Sequence, residues 1–116
     1  MIHTCSLKTS RGFKWVYGKG VSAANRLLVM YVLHNQQNIN RLGITVSKKV
    51  GKAVTRNRVK RIIKENYRLF ESHVGPGYDM VVIARVAAGT VHKNDLFKEI
   101  NTSLLSLLTK YHVFGQ

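Results

Sequence analysis

Acidic residues are scarce in this sequence. Its 116 residues include five Asp and Glu against 19 Lys and Arg, so the formal net charge is +14 at pH 7. The first acid along the chain is Glu65. A balance this basic indicates a polyanionic partner, either a nucleic acid or an anionic membrane surface.

Cysteine and long apolar runs are scarce too. The single cysteine, Cys5, excludes an internal disulfide and fits a reducing compartment. No apolar run approaches the roughly 18 residues that a membrane-spanning helix needs. An acid-poor N-terminus is typical of transit peptides, but here the acid-free stretch continues through the predicted strands, well past any presequence. We therefore expect a cytoplasmic protein that does not associate with membranes.

The clusters of side chains that catalysis or metal binding requires are also missing from the sequence. A protein nuclease needs grouped carboxylates that hold a metal ion, or a positioned acid–base pair. The five acids are spread along the chain, and Asp79 is the only isolated candidate. The five histidines show no metal-ligand spacing. We predict no catalytic residue and no metal site in this chain.

Positive charge is concentrated in residues 43–68, which predict a strand, a glycine turn and a helix. Between Arg41 and Arg68 there are ten basic residues and one acid, Glu65. At 100° per residue, one helix face is apolar and is expected to pack on a core. It carries Val59, Ile62, Ile63, Asn66 and Phe70. The opposite face carries Asn57, Arg58, Lys60, Arg61, Lys64 and Arg68, with Arg56 at the border. An ordinary solvated helix would mix charges of both signs, so this face is predicted to bind phosphate.

An aromatic pair marks the N-terminal segment. We expect residues 1–6 to be a frayed tail, followed by a helix from about Thr9 to Tyr17 that stops at Gly18. Phe13 and Tyr17 lie one turn apart on this helix. Such a pair usually packs in a core. The basic residues interleaved with it keep a second interpretation open, in which exposed rings stack on single-stranded bases.

The remaining chain predicts alternating strands and helices in one α+β domain over residues 1–116. A polar connector at 35–40 is consistent with a hairpin between the second and third strands. The apolar content of 45% suits a folded domain of this length. The predicted elements after the first helix are a strand around Val21, strands at 26–34 and 41–49, the basic helix, a strand at 78–86, and a final helix capped by Asn94. The order is αβββαβα, a two-layer sandwich.

Residues 41–65, RLGITVSKKVGKAVTRNRVKRIIKE, resemble the signature of the bacterial ribonuclease P protein subunit. Its central feature is the Arg-Asn-Arg segment, here residues 56–58. The resemblance covers nearly the whole chain, from LKTSRGFKWVYGKG through VVIAR to the leucine-rich end. It implies a ribosomal protein S5 domain 2-like fold with a left-handed β-α-β crossover, although general rules favour a right-handed one.

The resemblance also implies a supporting role in an RNA enzyme. Bacterial ribonuclease P uses Mg²⁺ to remove the 5′ leader of precursor tRNA, and its RNA subunit holds the active site. The implied partners are therefore the catalytic RNA and precursor tRNA, and we expect the free protein to be monomeric. The catalytic RNA would bind Arg56, Asn57, Arg58, Lys60, Arg61, Lys64 and Arg68. The single-stranded leader would lie in a cleft formed by Phe13, Tyr17, Tyr31, Lys48 and Lys52.

Two residues depart from the family pattern. Gly12 stands where an acidic residue often precedes the position of Phe13, and Trp15 is bulkier than the polar residue usual at its position. Other functions stay open at this point: a ribosomal or general RNA-binding protein without a role in tRNA processing, or a stand-alone nuclease. A membrane-surface protein is disfavoured because the apolar stripe of the basic helix is committed to a core.

Overall fold

The computed structural model describes residues 4–111, in which a mixed five-stranded sheet carries helices on both faces. Short 3-10 turns occur at Lys48–Val50, Glu71–His73 and Val86–Thr90. The strands and helices in chain order are β1 (Thr4–Ser6), α1 (Ser10–Lys19), β2 (Val21–Ala24), β3 (Leu28–His34), β4 (Asn40–Thr45), α2 (Ala53–Phe70), β5 (Tyr78–Ala84) and α3 (Leu96–Lys110).

Strand β5 lies at the centre of the sheet, whose order is β1-β4-β5-β3-β2. It pairs antiparallel with β3 and parallel with β4. The predicted hairpin between β3 and β4 is therefore wrong, because β5 separates the two strands. Five of the seven β5 residues are buried, as expected of a strand whose two faces are both covered by helices. The crossover from β4 through α2 to β5 joins adjacent parallel strands, and its left-handed sense stays a prediction.

The N-terminal segment is more ordered than the sequence predicts. Residues 4–6, expected to fray, form β1 and pair in parallel with β4, while residues 1–3 lie outside the described residues. This pairing occupies backbone groups that β4 would otherwise leave open at the edge of the sheet. The element order therefore gains a strand and becomes βαβββαβα.

Helix α1 continues past the predicted stop at Gly18 and ends at Lys19. Gly20 is the C-cap, and its N–H donates to the carbonyl of Val16 at 2.8 Å. A Cβ at Gly20 would lie 2.7 Å from that carbonyl oxygen and 2.9 Å from that of Val32. The helix therefore ends where its backbone passes closely over β3.

Two further boundaries differ from the predictions. The strand predicted at 41–49 ends at Thr45, and Lys48 belongs to the 3-10 turn that leads into α2. Asn94 does not cap α3, because Asp95 occupies the N-cap position without a side-chain cap hydrogen bond. The backbone N–H of Asn94 instead donates to Nδ1 of His92 at 3.1 Å.

The main core lies between the sheet and helices α2 and α3, while α1 covers part of the opposite face. The predicted apolar stripe of α2 is confirmed, since Val59, Ile62, Ile63 and Asn66 are buried. The Asn66 amide donates to the carbonyls of Ile62 at 3.0 Å and Phe97 at 3.3 Å, which links α2 to α3. This anchoring leaves the basic face of α2 in solvent. Within residues 4–111, no helix combines the length and the apolar character that crossing a membrane requires.

Candidate nucleic-acid interface

The outer face of α2 presents the basic residues that the sequence assigns to it. Asn57, Lys60, Arg61, Lys64 and Arg68 are exposed, and Arg56 and Arg58 are half-buried. Arg56 Nε donates to the carbonyl of Gly51 at 3.1 Å, so its side chain is tied to the turn before the helix. Among the described residues, Glu65 forms an ion pair only with Arg61, at 3.3 Å. Most of the positive charge on this face is therefore uncompensated.

Three aromatic residues meet on the other face of the sheet. The ring centroids of Phe13 and Tyr17 are 6.2 Å apart, and those of Tyr17 and Tyr31 are 5.0 Å apart with an edge-on geometry. Val16 of α1 is buried and packs near Val81, so the helix holds the rings close to the sheet. Tyr17 is 37% exposed, whereas Phe13 and Tyr31 are half-buried. In this cluster the rings of Phe13 and Tyr31 are packed, and the ring of Tyr17 is accessible to solvent.

The position of Phe13 depends on Gly43 of β4. A Cβ at Gly43 would lie 2.6 Å from Cζ of the Phe13 ring, closer than such atoms can approach. The ring therefore lies directly on the strand, where a larger residue would displace it. Gly43, Val81 and Tyr31 are register partners across β4, β5 and β3, so the aromatic cluster spans three neighbouring strands.

A cavity of about 330 Å³ lies between α1, β4 and α2. It brings Phe13 together with Lys60 and Lys64, which the family resemblance assigns to the other RNA surface. The remaining lining residues are Ser6, Leu7, Leu42, Gly43 and Ile44. The predicted catalytic-RNA surface on α2 and the predicted leader cleft are therefore adjacent, and Lys60 and Lys64 border both. The sequence pattern of α2 alone did not indicate this adjacency.

Lys48 and Lys52, which the resemblance places in the leader cleft, do not line this cavity. Both side chains are exposed. Lys48 lies in the turn that follows β4, and Lys52 is the N-cap residue of α2 without a side-chain cap hydrogen bond. The structure thus places them beyond the end of β4, while Phe13 packs in the middle of that strand.

Asp79, the isolated carboxylate in the sequence, has a structural partner. It is the register partner of Arg41, and accepts hydrogen bonds from Nε at 2.7 Å and Nη2 at 2.9 Å. Asn35 Nδ2 donates to the same carboxylate at 2.9 Å. The hydrogen bond to Asp79 raises the pKa of Arg41. Across residues 4–111, no group of three or more His, Cys, Asp or Glu is placed to hold a metal ion.

Fold and site together define a class: a small basic α+β protein in which a cationic helix adjoins an aromatic cleft, an arrangement suited to RNA. The family model described as Ribonuclease P matches residues 1–109. The ribonuclease P protein component of Clostridium botulinum is 49% identical over 111 residues, covering 94% of this chain and 96% of the relative. The chain belongs to the ribonuclease P protein family, and its class of function is tRNA processing.

Solved structures agree with this assignment. The RNase P protein of Staphylococcus aureus is 40% identical and superposes with a TM-score of 0.84, covering 95% of this chain and 97% of that one. The RNase P protein of Thermotoga maritima is 32% identical with a TM-score of 0.79, covering 90% and 96% of the two chains. The family resemblance noted in the sequence is thereby confirmed, together with the α+β fold that it implies.

Proposed function

We propose that this chain binds the catalytic RNA of ribonuclease P through α2, and the single-stranded 5′ leader of precursor tRNA through the adjoining leader cleft. This cleft comprises the cavity between α1, β4 and α2 together with the aromatic cluster of Phe13, Tyr17 and Tyr31. The observation that carries the proposal is the cavity in which Phe13 adjoins Lys60 and Lys64. An aromatic ring can stack on a base while the two ammonium groups bind phosphates. The cleft offers both contacts that a single strand of any sequence can use.

The basic face of α2 supports docking on a structured RNA. The helix has 18 residues. At a rise of about 1.5 Å per residue it is roughly 27 Å long, enough to contact several successive phosphates. Its buried face keeps the cations at fixed spacing on the outer face. A protein that neutralises roughly 6–10 phosphates loses about 10³–10⁵-fold in affinity when the salt concentration rises from 50 to 200 mM. Binding to the catalytic RNA should therefore be strongly salt-dependent.

The aromatic cluster supports recognition of a leader without sequence preference. Tyr17 presents the most exposed ring of the three, and Phe13 and Tyr31 pack beneath and beside it. Stacking on a ring contributes about 1–3 kcal/mol per base and tolerates every base. A maturation enzyme that acts on many precursors needs this tolerance, because their leaders differ in sequence.

In this proposal the protein supports the reaction while the RNA subunit performs it. Mg²⁺, used by the RNA-containing holoenzyme, supplies the chemistry of hydrolysis. The residues of this chain hold the leader and neutralise RNA phosphates, which lowers the Mg²⁺ concentration that the assembled enzyme needs. No residue of the chain is assigned a bond-breaking step, and the free protein is expected to be a cytoplasmic monomer.

The test is cleavage of precursor tRNA at low Mg²⁺ by a bacterial ribonuclease P RNA alone, by this protein alone, and by the two together. We expect cleavage at the mature 5′ end only when both are present. If the protein fails to stimulate the RNA, the proposal is wrong and a general RNA-binding role is favoured. Cleavage by the protein alone would instead require an active site within this chain.

A further inference from the structure

A second groove lies on the opposite side of α1 from the leader cleft. Phe13, which lines the cleft, and Trp15, which lines the groove, are about 200° apart around the helix. The groove has a volume of about 450 Å³, within the roughly 300–1,000 Å³ typical of ligand sites. Trp15 lines it together with Lys8, Thr9, Arg11, Arg41 and Asp79.

Trp15 presents an accessible aromatic surface in this groove. Its side chain is 58% exposed, although tryptophan is a residue that folding normally buries. Lys19, one turn further along α1, places its ammonium group 5.6 Å from the centroid of the indole ring and does not line the groove. A cation–π contact of this kind attracts the ammonium group to the ring, and the groove lies beside it.

The groove carries positive charge around the indole. Lys8 and Arg11 are exposed, and neither forms an ion pair with another residue in the described part of the chain. Arg41 is fixed by Asp79, whose carboxylate neutralises it. An exposed aromatic residue by itself is ordinary on a protein surface. An indole flanked by two unpaired cations in one groove is the combination that binds a nucleotide, with a ring for the base and cations for the phosphates.

We propose that this groove is a second binding site for single-stranded RNA, in which a base stacks on Trp15 and Lys8 and Arg11 bind the adjacent phosphates. Ser6 and Leu7 line both the groove and the leader cleft, so the two cavities adjoin at these residues. A strand held in the cleft can therefore continue around the N-terminal end of α1 into the groove. The inference rests on the proposed function because it takes single-stranded RNA as the ligand.

Trp15 is the only tryptophan in the chain, so indole fluorescence reports on this groove alone. The experiment titrates the full-length protein with a short unstructured RNA, and follows indole fluorescence together with the anisotropy of labelled RNA. We expect RNA to quench the fluorescence. Trp15→Ala should lower affinity roughly 5- to 150-fold, the range for losing one stacking aromatic, and Trp15→Phe should retain most of the affinity. Lys8→Ala should lower the salt slope by about 0.7, because one phosphate contact is lost.

Leu105→Ala is the matched control, since Leu105 is 40% exposed on α3 and does not line the groove. The proposal is overturned if RNA saturates the protein by anisotropy without changing the indole signal. It is also overturned if Trp15→Ala binds RNA as tightly as Leu105→Ala, or if duplex RNA quenches as strongly as single-stranded RNA.

A parallel titration of Tyr17→Ala separates this inference from the proposed function. If Tyr17→Ala weakens leader binding and Trp15→Ala does not, leader binding in the cleft is supported and RNA binding in the groove is refuted. If Trp15→Ala weakens RNA binding and Tyr17→Ala does not, RNA binding in the groove is supported and leader binding in the cleft is refuted.

Discussion

Phe13 of α1 and Lys60 of α2 line the same cavity, although the two residues are 47 positions apart in sequence. The aromatic contact proposed for a single strand therefore adjoins the cationic contact proposed for a structured RNA. In the proposed complex, Lys60 and Lys64 lie where the leader and the catalytic RNA come closest. The two proposed RNA surfaces therefore share a border at Lys60 and Lys64.

The first prediction concerns this shared border. The double variant Lys60→Ala, Lys64→Ala should weaken binding of both the catalytic RNA and leader-bearing precursor tRNA. Both losses arise because each lysine contributes to the α2 face and to the cavity. Filter binding at several salt concentrations measures the two affinities and their salt slopes. Arg68→Ala is the control, since Arg68 is an exposed cation of α2 that does not line the cavity. It should weaken catalytic-RNA binding only. Equal profiles for the lysine pair and Arg68 would contradict the shared border.

The second prediction concerns the exposed ring of the cleft. Tyr17→Ala should reduce affinity for precursor tRNA by roughly 5- to 150-fold, which corresponds to about 1–3 kcal/mol for one lost stacking contact. Binding of mature tRNA should change little, because mature tRNA has no leader. Arg58→Ala with Arg61→Ala should instead weaken catalytic-RNA binding and reduce its salt slope. Loss of mature tRNA binding in Tyr17→Ala would show that the ring contacts another part of the substrate.

The third prediction tests the close contact between Gly43 and Phe13. Gly43→Ala should force the Phe13 ring away from β4, because the added Cβ would lie 2.6 Å from it. Overpacking of this kind costs about 1–3 kcal/mol of unfolding free energy, and the displaced ring should also lower precursor affinity. Gly18→Ala is the matched control, because a Cβ there meets no atom within 4 Å inside a helix. It should stabilise the protein by about 0.4–1 kcal/mol. Thermal unfolding measures the stability of both variants. Equal melting temperatures for Gly43→Ala and Gly18→Ala would contradict the tight packing of Phe13 on Gly43.

The fourth prediction concerns the ion pair between β4 and β5. Arg41→Ala should destabilise the fold by about 1–3 kcal/mol, since it leaves the buried Asp79 carboxylate without its charged donor. Arg26→Ala removes the exposed pair with Glu99 and should cost less than about 1 kcal/mol. Denaturant unfolding of the two variants gives the comparison. A smaller loss for Arg41→Ala than for Arg26→Ala would mean that the β4–β5 pair does not stabilise the sheet.

The strongest local patterns were correctly interpreted from the sequence. The 3.6-residue period of α2 identified its buried and basic faces, because an apolar stripe at helical spacing can be buried in only one orientation. The family was recognised from ordered motifs around the Arg-Asn-Arg segment, and the comparisons confirm it.

Interactions between distant residues were beyond the reach of these patterns. The hairpin at 35–40 was wrong because β5, encoded after α2, enters between β3 and β4. The frayed tail was wrong for residues 4–6 because β4 offers them a free edge. Asp79 appeared isolated because its partner Arg41 lies on another strand, 38 residues earlier.

The charge of this protein, the two faces of α2 and the family are all evident from the amino-acid sequence, since each is carried by residues close together in the chain. The shared cavity of Phe13 and Lys60, and the position of Trp15 in a cationic groove, follow from the tertiary fold. The packing of α1 on the sheet sets both arrangements, and that packing depends on contacts such as Phe13 on Gly43, which join residues far apart in sequence.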